Sequence, residues 1–140
     1  MSLTRATILA ALAIAVGAAG YLHFGGSDEV ARSGPPIVAV KLPNALSERA
    51  ERGQSTYAAN CAACHGLNAA GQDGVAPPLV HIIYEPGHHG DESFQRAVAQ
   101  GVMAHHWPFG DMPPVEGLSR RDVAAVVAYV RELQRANGIR

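Results

Sequence analysis

The chain has 140 residues, 48% of them hydrophobic and 16% charged, with a net charge of -1. This composition excludes a disordered or collagen-like chain, and with no basic stripe nucleic acid is not an expected partner. Two cysteines, Cys61 and Cys64, are too few for a small secreted fold held together by disulfides.

Ala6 to Phe24 is a nearly unbroken apolar run, ATILAALAIAVGAAGYLHF, with His23 close to its end. As a helix it would span about 28 Å, close to the thickness of a bilayer's hydrocarbon core. Arg5 precedes it and Asp28 and Glu29 follow, which orients the N-terminus to the cytoplasm and the rest outside. A cleaved signal peptide and an uncleaved signal anchor both fit. The length, Tyr21 and Phe24 at the far end, and the lack of a convincing small-x-small cleavage site favour an anchor over residues 1–25. A buried soluble helix is the poorer reading, because the run has no polar face to turn to water.

Residues 26–46 carry GGSDEV, SGPP and KLPN and read as a flexible linker, with only a short strand-like VAV stretch. From Ser47 to the end the pattern is helical. Ser47 caps a helix through SERAERGQSTYAAN, with Glu48 and Glu51 in the first turn, where the helix dipole favours acids. Ala50, Gly53, Tyr57 and Cys61 share one face. GLNAAGQDGVAPPLVHIIYEPGHHG reads as a long loop that needs something to pack on, and a flat cofactor would serve. A short helix over DESFQRAVAQ stops at Gly101, and Val102 to Leu118 is loop again. Ser119 opens the last helix with a capping-box variant, SRRD, in which Asp122 replaces Glu. Val123, Val126, Val127, Val130 and Leu133 form its apolar face, and Gly138 ends it. The first and last of these helices are expected to bury their apolar faces on each other. Gly53 would allow close approach, and Tyr57 and Tyr129 would fill around the crossing.

CAACH at residues 61–65 carries the chemistry. Two thiols three positions apart can each add to a haem vinyl group, and the adjacent His65 can then reach the iron. C-x-x-C-H is the attachment signature of c-type haem. A thioredoxin-like redox pair would need a βαβ pattern that is not here. A zinc site needs four ligands, usually from a second Cys or His pair. A plain disulfide would leave His65 unexplained.

A sixth iron ligand must come from Met103, Met112, His81, His88, His89, His105 or His106. Met112 lies in GDMPPV, where two following prolines stiffen the loop and lower the entropy lost on ligation. Met103 lies just past a helix end without such support and reads as apolar filler. Among the histidines, His105 and His106 are the nearer alternatives. His/Met ligation suits electron transfer by raising the potential. Pro77-Pro78-Leu79 is a second rigid loop, read as a wall on the His65 side. There the Pro78 carbonyl, or its neighbour's, would accept a hydrogen bond from the free ring nitrogen of His65. A simple turn is the plainer alternative.

CAACH, GVAPPL, FGDMPPV and the closing LSRRDVAAVVAYVREL together resemble a class I mono-haem cytochrome c of the bacterial membrane-anchored type, over about residues 47–137. The resemblance implies an all-α small cytochrome c fold, helices around a covalent haem, here behind an N-terminal transmembrane helix. It implies one haem c bound through Cys61 and Cys64, with His65 and Met112 as axial ligands. Gly53, Tyr57 and Tyr129 match the family's helix-crossing positions. It further implies an electron carrier rather than an enzyme, passing single electrons between membrane-associated respiratory or dehydrogenase partners. The expected location is the periplasmic side of a bacterial inner membrane. One departure concerns charge. Lys41 is the only lysine, and from Ser47 onward eight Arg face ten Asp and Glu, so steering by a ring of lysines is not expected.

His88-His89 and His105-His106-Trp107 fall outside the family pattern. Histidines in loops can bind Cu or Zn, but adjacent side chains rarely both ligate one ion. Surface or haem-edge residues are the ordinary reading, with one His or the Trp107 indole N–H on a haem propionate as an intermediate one. A haem peroxidase or small-gas sensor would need an open sixth site, which Met112 opposes. A metal-handling subunit would rest on the histidines.

Overall fold

In a computed structural model, residues 34–140 are described. Among these residues four α-helices follow one another: α1 (Glu48–Asn60), the single turn α2 (Ala62–His65), α3 (Asp91–Gln100) and α4 (Arg120–Ala136). Two short 3₁₀ turns, Leu67–Ala69 and Ile82–Tyr84, punctuate the loop between α2 and α3. Among the described residues no strand forms, and only isolated bridges pair Gln72 with Ala76 and Val102 with Met112. The all-helical expectation therefore holds for this part of the chain. No helix among the described residues is long and apolar enough to cross a membrane, and the run Ala6–Phe24 lies outside them.

Helix limits follow the local chemistry. The Ser47 side chain accepts from the Ala50 N–H at the start of α1, and its hydroxyl donates to Glu132 on α4 (2.7 Å), joining the two helices at one end. Ser119 and Asp122 form a complete capping box on α4. α3 stops at Gly101, whose φ of +74° suits glycine. A Cβ there would lie 2.5 Å from the Met112 carbonyl oxygen.

The core is the crossing of α1 and α4. Ala50 and Tyr57 from α1 pack with Val126, Tyr129, Val130 and Leu133 from α4, joined by Ala69 and Val80 from the loop. Gly53 sits where the backbones meet: a Cβ would fall 1.9 Å from the Ala125 carbonyl oxygen. The Tyr57 and Tyr129 rings tilt against each other at 5.6 Å between centroids. Both hydroxyls leave the crossing to hold the loop. Tyr57 donates to the Gly66 carbonyl (2.8 Å), and Tyr129 donates to the Asn68 side chain (3.2 Å).

The segment expected as linker behaves differently in its described part. The Ile37 and Val38 N–H groups donate to the Ala70 carbonyl, and the Asp73 N–H donates to the Pro35 carbonyl. The Asn137 side chain meets both the N–H and the carbonyl of Lys41 at 2.9 and 2.8 Å. From Gly34 onward the chain is laid on the helical body. The physical reason is backbone satisfaction: Asn137 and Ala70 offer fixed partners to a stretch with no ladder of its own.

Candidate functional site

Cys61 ends α1, and Cys64 and His65 lie on the single turn that follows. Both thiols are free; Cys61 is partly buried and Cys64 exposed. Burial, and next the neighbouring Cys64, pushes the Cys61 thiol up to about 11.

His65 is buried, and that burial holds its imidazole below the ordinary range, opposed by the hydrogen bond to Pro77. The ring is therefore neutral near pH 7. Its Nδ1 lies 2.9 Å from the Pro77 carbonyl oxygen, which can only accept, so Nδ1 carries the proton and Nε2 keeps its lone pair. This is the tautomer a metal ligand needs, oriented by a backbone carbonyl. The acceptor is Pro77 and not Pro78. Pro78 is instead buried against Gly71, where a Cβ would come within 2.5 Å of the Pro78 nitrogen.

Met112 stands on the loop after α3. Its N–H and carbonyl both pair with Val102 at 2.9 Å, and the Val115 N–H returns to the Val98 carbonyl of α3 (2.8 Å). The loop is thus pinned on both sides of the Pro113-Pro114 pair, which adds to the stiffness that the prolines provide. Met112 is half-buried, while Met103 is 80% exposed. The structure brings His65 together with the Pro77-Pro78 loop. Met112 lies on a separate loop, paired with Val102 and not with the Cys61–His65 segment.

Two features fit a flat, largely apolar group with polar edges. Leu67 and Ile82 are large apolar side chains left 76% and 57% exposed beside the site loops, as is Met103 on the loop of Met112. The Trp107 Nε1–H is buried with no hydrogen-bond partner of good geometry, although it stands close enough to the Tyr84 hydroxyl to favour that phenol's ionised form. An orphaned buried donor suits a carboxylate such as a haem propionate. Two surface hollows, one along Lys41–Ala45 and the other between Arg49 and Arg131, are lined by none of Cys61, Cys64, His65 or Met112.

Sequence reasoning missed the polar anchors. Gln72 Nε2 donates to the Ala62 and Ala63 carbonyls (3.1 and 3.0 Å), tying the turn that carries Cys64 and His65 to the following loop. Gln134 donates to the Leu79 and Tyr84 carbonyls, and Arg131 to the carbonyls of Tyr84 and His89. Arg131 and Gln134 follow Val127 and Val130 by four residues. A polar side chain on an apolar helical stripe was the available signal.

The family model described as cytochrome c matches residues 50–134. The chain is also similar to cytochrome c550 of Pseudomonas aeruginosa, 45% identical over 53 residues, which is 38% of this chain. That match spans about a third (34%) of the relative's length.

Proposed function

The chain belongs to the cytochrome c family, and we propose that it carries one haem c with His65 and Met112 as axial ligands and passes single electrons between membrane-associated partners. Family membership itself implies a covalent haem and an electron carrier rather than an enzyme. One observation carries the finer reading. Within CAACH, His65 is buried, neutral and aimed by Pro77 with its Nε2 bare.

When bound, haem supplies a one-electron Fe(III)/Fe(II) couple. Cys61 and Cys64 would hold it through thioethers. The Pro77 carbonyl keeps the His65 ring in one tautomer and raises its basicity. The Val102 pairing and the two prolines hold Met112 ready, so little loop entropy is lost when its thioether ligates. Trp107 would offer its buried indole N–H to a propionate. Each of these groups resists rearrangement, as a change of one electron without bond making requires.

Absorption spectra of the ferric holoprotein test the ligation. Met112→Ala is expected to lose the thioether–iron band, and Met103→Ala to keep it; the reverse would overturn the assignment. Residues 1–25 are proposed as a signal anchor that places the haem domain on the periplasmic side of the inner membrane. That reading rests on the apolar run Ala6–Phe24 and its flanking charges. A mature mass lacking the first ~20–25 residues would refute it.

A further inference from the structure

Four histidines that the haem motif does not use converge on one surface. His88 and His89 close the loop before α3, and His105 and His106 lie in the loop that carries Met112. The Nε2 atoms of His88 and His106 are 3.5 Å apart. One ring nitrogen from each of His88, His89 and His106 lies within 4.8 Å of the other two. Two imidazole nitrogens on a tetrahedral zinc, with bonds of about 2.0–2.1 Å, stand roughly 3.3 Å apart. Small side-chain rotations therefore bring the three nitrogens to ligating distance.

The surroundings prepare this set. His89 Nδ1 lies 2.6 Å from the Ile83 carbonyl oxygen, so it carries the proton and leaves His89 Nε2 bare. Arg131, anchored on α4, donates to the carbonyl of the same residue. A histidine fixed through its other ring nitrogen by a backbone carbonyl is the arrangement found behind metal-ligating imidazoles. His88 and His106 are exposed, so an ion can enter and water can complete its shell. Adjacent histidines seldom share an ion. Here, however, ring nitrogens of the adjacent His88 and His89 already lie within 4.8 Å of each other, and His106 joins them from a loop 17 residues beyond His89, while His105 turns its Nδ1 to the Met103 carbonyl instead (2.8 Å).

We propose that His88, His89 and His106 bind one divalent transition-metal ion of borderline softness, of the Zn²⁺ or Cu²⁺ class. The ion cross-links the loop before α3 to the loop that carries Met112. Three neutral imidazoles select such ions over Mg²⁺ and Ca²⁺, which take oxygen ligands.

The test is a Zn²⁺ titration of the full-length holoprotein, prepared without a histidine tag, against a chromophoric chelator at neutral pH. The wild type is expected to take up one equivalent, undisturbed by Mg²⁺. His88→Ala and His106→Ala should each weaken uptake at least about tenfold, since each removes a ligand from a small set. His81→Ala should change it less than about twofold, because His81 lies edge-on to Trp107 at 5.1 Å outside the cluster. Added Zn²⁺ should raise the melting temperature of the wild type and leave that of the His88→Ala/His106→Ala double variant unmoved. Equal uptake by the wild type and the double variant overturns the site. So does a loss in His81→Ala as large as that in His106→Ala.

Discussion

The α1–α4 crossing and the long loops around it are held by different physics. The crossing is apolar and close-packed, with backbones touching at Gly53 and Ala125. The loops add only small residues and one valine to the core (Ala69, Ala70, Ala76, Pro78 and Val80), and they are fastened to the helices one carbonyl at a time by side chains such as Tyr57, Gln72, Arg131 and Gln134. The crossing therefore sets whether the chain folds, and the fastenings set where the site loops stand. The residues proposed to hold haem divide along the same line. Cys61, Cys64 and His65 continue directly from α1, whereas Met112 sits on a loop.

The sharpest way to break this contrast is Gly53→Ala. Its Cβ meets backbone and not a movable side chain, so a loss of about 3 kcal/mol or more is expected in denaturant unfolding of the holoprotein. A change under about 1 kcal/mol would remove the crossing as the source of global stability. Arg131→Met should come next, at about 2–3 kcal/mol, because it strips buried donors from the Tyr84 and His89 carbonyls. Its signature is local: amide exchange should quicken over residues 81–90 well before it does in α1. Tyr57→Phe loses only the hydrogen bond to Gly66, worth about 1–1.5 kcal/mol in thermal unfolding, and leaves the ring packing in place. Ser119→Ala removes the α4 cap and should cost about 1 kcal/mol.

The smallest effect is a pH dependence at that cap. Hydrogen bonding to Ser119, helped by Arg121, holds the Asp122 carboxyl below its ordinary value of 3.8. A carboxyl lowered by folding stabilises the native state above its unfolded value, and that contribution fades as pH falls through the folded one. The stability difference between wild type and Asp122→Ala should therefore be steady at neutral pH and shrink below about pH 4. A difference that grew on acidification would contradict the capping geometry.

Legibility divided along the same boundary. α1, α3 and α4 were readable because caps, periodicity and stop signals are local: Ser47, Gly101 and the Ser119/Asp122 box each act within a few residues. CAACH was readable for the same reason. Other features depend on chain segments that meet only after folding. The Pro77 carbonyl reaches His65 from 12 residues away, one position before the proline singled out from the sequence. Asn137 takes up Lys41 across 96 residues, a contact that no composition of a Gly- and Pro-rich stretch announces. The histidine pairs were visible, but their meeting was not, because it depends on where α3 returns the chain.

The strand-like stretch docked by Ala70 and Asn137 has a mechanical consequence. Tension on the chain ahead of Gly34 meets the Pro35–Asp73 contact first, then the paired donors on Ala70, then the Lys41–Asn137 clasp, and only afterwards α1. These contacts would release one by one, as teeth of a zipper, each bearing the load in its turn. Ala70 lies five residues beyond His65, and the Gly71 N–H donates to the His65 carbonyl. A pull on the front of the chain would therefore be felt beside His65 before it reached α1.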